Sequence, residues 1–334
     1  MTYSSGGLIQ ATDYNTFVST GSPNINRVWG PALDNTGTGW GQSSLATVSA
    51  GTTVGSTAWA SMVNTLTSMG GQTNTSITAR TAPTAGQPIS VLSAVSTDIS
   101  NIYTNRNNAQ FVGATSNTWF GSASKTTATG SGTATWTITF ISTVQFASLD
   151  QARYFFNCGG RFFLTMNKSS TGTDMDADWN TFVGKVGTIS FTGLGTSKTL
   201  AGTAYTGTTR TGGSGGTETT LATATGWYNL AFGTGAYTTL FQLNDDAAGY
   251  TGSYIKVEAS RDPLFDKNFQ FRTTWVQPER SGAGQSTNIS GGTETTSPFT
   301  AYGTAPTVIC RAVYPSTTYL TNSWGTPSII STTT

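Results

Sequence analysis

Ser148-Leu-Asp-Gln-Ala-Arg-Tyr-Phe-Phe-Asn-Cys-Gly-Gly-Arg-Phe-Phe-Leu-Thr-Met-Asn167 changes its hydrophobic period halfway along. Leu149, Ala152, Phe155 and Phe156 fall on one face of a helix, and Ser148 with Gln151 has the pattern of a capping box in front of it. Gly159-Gly160 permit the positive-φ turn that a helix needs before the chain reverses into a strand at Arg161–Asn167. The stretch therefore predicts a helix, a Gly-Gly corner and a strand. It is a packing device, with Arg153 and Asn157 free to make polar contacts around it. Arg153, Tyr154, Phe155, Phe156, Asn157, Gly159 and Gly160 are its candidate corner and interface residues.

N-terminal to this corner the chain reads as helical pieces joined by Gly-rich loops. After Thr12, a candidate N-cap, Tyr14, Phe17 and Val18 line a short helix that Gly21-Ser22-Pro23 ends. Ile25, Val28 and Trp29 follow at helical spacing before Gly30-Pro31. From Val54, a stripe through Ala58, Met62, Val63, Leu66 and Met69 predicts a longer helix closed by Gly70-Gly71. A further helix is expected from Pro88 through Ile89, Leu92, Val95, Ile99 and Ile102 toward Arg106, packed on the previous one.

Beyond about residue 110 the period becomes 2. Thr133–Ile141 alternates Thr with Ala134, Trp136, Ile138 and Phe140, and similar strands read at Thr188–Thr192, Tyr237–Asn244, Tyr254–Ser260, Asn268–Val276 and Thr307–Tyr314. The predicted fold class is α+β, with a helical region at 1–110 followed by a mainly antiparallel β-sheet or β-sandwich body at 111–334. The Gly/Thr-rich stretches 193–225 and 281–304 exceed ordinary loop length and are expected to protrude. Gly-Gly-Thr-Glu-Thr-Thr recurs at 215–220 and 291–296, but its flanks differ, so composition explains it better than a repeat unit.

Composition excludes more than it assigns. Only 9% of the 334 residues are charged, against about 25% in ordinary domains. The absence of His removes Ser-His-Asp and Cys-His catalysis and His-ligated zinc or haem. Sixteen Lys+Arg against fifteen Asp+Glu leave +1, with no basic field for nucleic acid and little repulsion between copies. No apolar run is long enough for a membrane span, and Met-Thr-Tyr-Ser-Ser-Gly-Gly at the start lacks the features of a signal peptide. Cys158 and Cys310 are expected as buried free thiols.

The motifs that could carry chemistry are incomplete. Asp174, Asp176 and Asp178 match the first, third and fifth ligands of a Ca²⁺ loop, but Trp179 stands where Gly is required and Lys185 where a bidentate Glu belongs. Asp178 is better read as the cap of a helix whose Trp179, Phe182, Val183 and Val186 share a face. A His-free glycosidase needs two carboxylates, and nothing in the spacing of Asp245, Asp246, Glu258, Asp262, Asp266, Glu279 and the three Asp above selects a pair. Asp245-Asp246 reads as a hairpin loop. Gly37-Thr-Gly-Trp-Gly-Gln42 is Gly-rich without the Lys-Ser/Thr of a phosphate loop, so a turn around a packed Trp is expected. No catalytic, cofactor-binding or metal residue is assigned.

Ala152–Gly160 with the following strand and Asp178-Trp179 resembles virion structural proteins of tailed bacteriophages, particularly those infecting cyanobacteria and other aquatic bacteria. The opening Ala11-Thr-Asp-Tyr-Asn-Thr-Phe-Val18, with Asn26, Val28-Trp29-Gly30 and Gly39-Trp-Gly-Gln42, is similar to the same proteins, as is Thr321-Asn-Ser-Trp-Gly-Thr-Pro327. The resemblance implies a non-enzymatic tail, neck or fibre component without cofactors, made in the host cytoplasm and released in the virion. It implies assembly with copies of itself and with other virion proteins, the helical region attaching and the β body facing outward. The alternative reading is a receptor- or carbohydrate-binding module that touches a host-surface glycan through 193–225 and 281–304. A depolymerase comes third.

Overall fold

The structure is a computed structural model that describes residues 11–85, 94–122, 136–170, 174–231, 236–247, 252–262, 267–278, 288–290, 293–295 and 306–333. Its helices are α1 (Ala11–Val18), α2 (Ile25–Trp29), α3 (Ser56–Thr73), α4 (Val95–Asn105), α5 (Leu149–Asn157) and α6 (Asp174–Val186). The strands are β1 (Val112–Ser122), β2 (Trp136–Gln145), β3 (Arg161–Asn167), β4 (Thr188–Phe191), β5 (Lys198–Leu200), β6 (Thr203–Tyr205), β7 (Thr208–Thr211) and β8 (Thr217–Leu221). They continue as β9 (Thr238–Asn244), β10 (Tyr254–Arg261), β11 (Asn268–Gln277), β12 (Asn288–Ser290), β13 (Thr293–Thr295), β14 (Thr307–Pro315) and β15 (Ser328–Thr333). The fold is α+β, a few helices followed by mainly antiparallel sheets, as the change of period predicts.

Two sheets make the body. One has the order β1-β14-β3-β4-β7 and the other β15-β2-β11-β10-β9-β8, with every ladder antiparallel. β1 packs beside β15 and β7 beside β8, so the sheets meet along both margins. The two central strands β2 and β11 alternate: on β2, Ile138, Phe140 and Val144 are buried, and on β11, Phe269, Phe271 and Trp275 are buried on the same face. At the β7/β8 margin Arg210 donates to Glu218 at 3.1 Å, and charges at sheet margins oppose unwanted strand pairing. The buried residues of α1 to α4 belong to the same continuous apolar core as those of the two sheets.

Several boundaries differ from the periodicity reading for local reasons. The first helix begins at Ala11, so Thr12 lies inside it, and its carbonyl receives the Thr16 hydroxyl at 2.8 Å. α3 runs through Gly70-Gly71 to Thr73, and left-handed Asn74 ends it. Gly71 is there because the Tyr319 ring lies 2.5 Å from the point a Cβ would occupy. α4 begins at Val95 because Ala94 is left-handed at φ 57, which no helix continues through, and Pro88, Ile89 and Leu92 lie outside the described residues. α4 packs on α3 as expected. α6 starts at Asp174, so Asp178 is an interior helical residue and not a cap, while Trp179, Phe182, Val183 and Val186 are buried on one face. Thr133 and Ala134 of the first expected strand lie outside the described residues.

The stretch 193–225 is not a protruding loop. It supplies β5 to β8, with β7 joining the five-stranded sheet and β8 the six-stranded sheet. Its Thr side chains bond the main chain: Thr206 Oγ1 donates to the Thr208 carbonyl and Thr208 Oγ1 to the Thr225 carbonyl, both at 2.9 Å. Of 281–304, β12 and β13 pair with each other, and the rest lies outside the described residues.

Lys198 in this region is buried, its Nζ donating to the Leu194 carbonyl at 2.6 Å and to Thr192 Oγ1 at 3.0 Å. Burial lowers the ammonium pKa from 10.5 to about 8. Between those two values the unfolded chain holds more protons than the folded one, so stability is expected to rise with pH across that window. Thermal unfolding at stepped pH measures this, and Lys198→Met should flatten the rise. Lys168, also lowered to about 8 by burial, contributes the same sign.

Candidate functional site

The Ser148–Asn167 corner folds as the helix, Gly-Gly turn and strand that its sequence predicts, but with only the Ser148 half of the capping box. Ser148 Oγ accepts the Gln151 N–H at 3.1 Å and starts α5. At the other end Cys158 N–H donates to the Tyr154 carbonyl and Gly160 N–H to the Phe155 carbonyl, at 2.9 and 2.8 Å. Gly159 has φ 95, and a Cβ there would stand 2.2 Å from that of Ala109. The corner's side chains then divide by role. Phe155 and Phe156 are buried in an aromatic cluster, and Arg153 lies toward the surface, donating to Asn35 Oδ1 at 2.9 Å and to Asp150 at 3.0 Å. Tyr154 lays its ring over Gly41, where a Cβ would fall 2.5 Å from it and where φ is 69.

Asn157 is the centre of the polar contacts. It is 3% exposed, and its Nδ2 donates to the carbonyls of Thr38 and Gly39, both at 2.9 Å, while its Oδ1 accepts the Tyr228 hydroxyl at 2.8 Å. The Gly37–Gln42 loop is thereby fixed against α5. The same loop runs back along α2, with Trp40 N–H on the Val28 carbonyl, Gly41 N–H on Gly30 and Gln42 N–H on Trp29. Trp40 is buried, as a turn around a packed Trp requires.

Gln42 carries the connection to the C-terminal segment. Its Oε1 accepts the Thr321 N–H at 2.9 Å and its Nε2 donates to the Thr321 carbonyl at 3.0 Å, a pairing like that between two strands. Ser323 Oγ donates to the Trp40 carbonyl at 2.7 Å beside it. The device recurs along the next residues. Asn26 pairs both main-chain groups of Leu45 at 2.8 and 2.9 Å, and Asn15 pairs both of Val48 at 2.8 Å. A primary amide offers the donor and acceptor of a peptide group, so each one satisfies a residue that no helix or sheet serves. The segments 37–42, 152–160 and 321–327, scattered in sequence, meet in one knot, and 11–18 is tied to Val48 farther along the same N-terminal loop.

The other candidate chemistry is placed differently. Asp174, Asp176 and Asp178 are on the rigid backbone of α6, which does not wrap around an ion, and no cluster of three potential ligands occurs among the described residues. Asp245 and Asp246 lie in the β9–β10 connection and face Lys185, whose Nζ is 3.7 Å from Asp245 and hydrogen-bonded to Asp246. Hydrogen bonding to Lys185 holds the Asp246 carboxyl below its usual range. Glu258 is buried on β10; burial pushes its carboxyl up, and Arg272 at 2.8 Å with Lys256 at 3.1 Å outweighs that, leaving it low. Each of these carboxylates is held by cations. Asp266 and Glu279 lie outside the described residues.

Cys158 and Cys310 are free, buried thiols, as expected. Burial pushes Cys158 well up and Cys310 up to about 12, so neither is a thiolate nucleophile. No described helix is long and apolar enough to cross a membrane. The sequence reading did not identify the amide clamps; the only signal available was the Asn and Gln already present in the resembling motifs. No protein-family model matches the chain, and no curated protein or solved structure matches it either.

Proposed function

We propose that the chain is a non-enzymatic structural component of a tailed-phage particle, in its tail, neck or fibre, that associates with copies of itself and with other virion proteins. The observation that carries this reading is the knot. The segments on which the resemblance rests use Asn15, Asn26, Gln42 and Asn157 to hold main chain to main chain rather than to present reactive groups. Cation-held carboxylates and buried thiols agree with it. In this reading residues 1–110 attach and oligomerise while 111–334 face outward, and a formal charge of +1 sets little repulsion between copies. Mass photometry of the purified chain, followed by negative-stain microscopy, is expected to reveal a discrete ring, trimer or filament. A chain that stays monomeric at high concentration overturns the reading. The glycan-binding alternative loses one of its two supports, because 193–225 builds strands in both sheets.

A further inference from the structure

Positive charge collects on the outer face of the five-stranded sheet. On β3, Phe162, Leu164 and Met166 enter the core, so alternation sends Arg161, Phe163 and Thr165 to the other side. Register extends that face: Arg311 on β14 and Ser190 on β4 lie opposite Phe163 from its two sides. The guanidinium carbons of Arg161 and Arg311 stand 5.3 and 5.5 Å from the centre of the same Phe163 ring. The Tyr205 ring of the β5–β6 hairpin lies 5.0 Å from the Arg161 guanidinium and its hydroxyl accepts a hydrogen bond from it, which leaves Nε over, and Lys198, paired with Tyr205 in that hairpin, adds a third cation.

Three donors on this face have no acceptor among the described residues: Arg161 Nε, Arg311 Nε and Ser190 Oγ, all enclosed from solvent. Arg161 is 7% exposed and Ser190 0%. Nor does the surrounding sequence supply a counter-charge, since β1, β3, β4, β5, β6, β7 and β14 contain no Asp or Glu. Buried charges are ordinarily paired, and aromatic faces compensate a guanidinium only in part. Guanidinium forks and hydroxyls are the groups that recognise negatively charged oxygens.

We infer that Arg161, Arg311 and Ser190 form a binding site for a compact oxyanion, with Lys198 adding to the field that attracts it. The shared chemistry is a charged group of two to four oxygens, free as sulfate or carried as the carboxylate of an acidic sugar. This site is independent of the assembly reading: a monomer that binds the anion supports one and overturns the other.

Calorimetric titration of the full chain with sodium sulfate, and separately with sodium glucuronate, at ionic strength fixed by sodium chloride tests it. Saturable binding is expected, weakened about tenfold or more by Arg311→Gln and by Ser190→Ala, the size of effect that loss of a charge-assisted or buried hydrogen bond produces. Tighter glucuronate than sulfate assigns the site to an acidic sugar, and the reverse order assigns it to the free ion. Ser190→Ala removes a hydroxyl that no group among the described residues uses, so the variant should fold normally even if Arg311→Gln does not. Absence of saturable binding by the unmodified chain, or unchanged affinity in the Ser190→Ala variant, overturns the inference.

Discussion

Asn157→Ala should lower the unfolding free energy by about 3–5 kcal/mol, because three buried partners lose their bonds while remaining enclosed. The carbonyls of Thr38 and Gly39 and the hydroxyl of Tyr228 each bond the Asn157 amide at 2.8 to 2.9 Å. An unmatched buried acceptor costs more than the bond itself contributes, since water cannot replace the donor. Asn157→Asp should be no better. A carboxylate accepts from Tyr228 but turns an oxygen toward two carbonyl oxygens. Tyr228→Phe removes one bond and should cost only about 1 kcal/mol. Urea unfolding of the three variants, compared at equal slope, measures the order. If Asn157→Ala lies within 1 kcal/mol of the unmodified chain, the loop is held by something other than this clamp.

Phe156→Ala should cost a similar amount, about 3–5 kcal/mol, through lost burial and the cavity left behind. Its ring stacks on Trp227 at 5.3 Å and 23° and meets Phe155 at 5.2 Å. It also reaches Phe162 at 6.0 Å and Phe191 at 6.4 Å in one sheet and Phe269 at 6.1 Å in the other. A side chain wedged between two sheets leaves a hole that neither sheet can close alone, because each is held rigid by its ladders. Phe156→Leu keeps most of the volume and should cost about 1.5 kcal/mol. Thermal unfolding followed by near-ultraviolet circular dichroism distinguishes loss of ring packing from loss of secondary structure. Equal melting of the Ala and Leu variants would contradict the wedge.

These two neighbours on α5 show how far the sequence could be read. The face of Phe155 and Phe156 was legible because helical periodicity marks which side is buried. That Asn157 would be the most occupied polar residue of the corner was not legible. Its partners lie 118 and 119 residues earlier and 71 later, and no local pattern announces them. β3, β9, β10, β11 and β14 were legible within a residue or two from apolar alternation. β1 was missed because Gly-Ala-Thr-Ser-Asn-Thr offers no such alternation, and β5 to β8 because Thr and Gly serve a strand and a loop equally well.

What the sequence alone determined is therefore the α+β class, the order of its main elements and the buried face of most of them. Those depend on side-chain period and backbone sterics over a few neighbouring residues. The His-free composition also excluded catalysis and metal ligation that depend on histidine before any contact was known. The tertiary structure alone decided which strands share a sheet, that 193–225 is woven into both, and that Gln42 reaches Thr321 across 279 residues. It also brought Arg161, Arg311 and Ser190, from three strands, onto one face. Such contacts depend on the closed chain, because an amide or a guanidinium has no preferred distant partner until packing of the apolar faces brings one within reach.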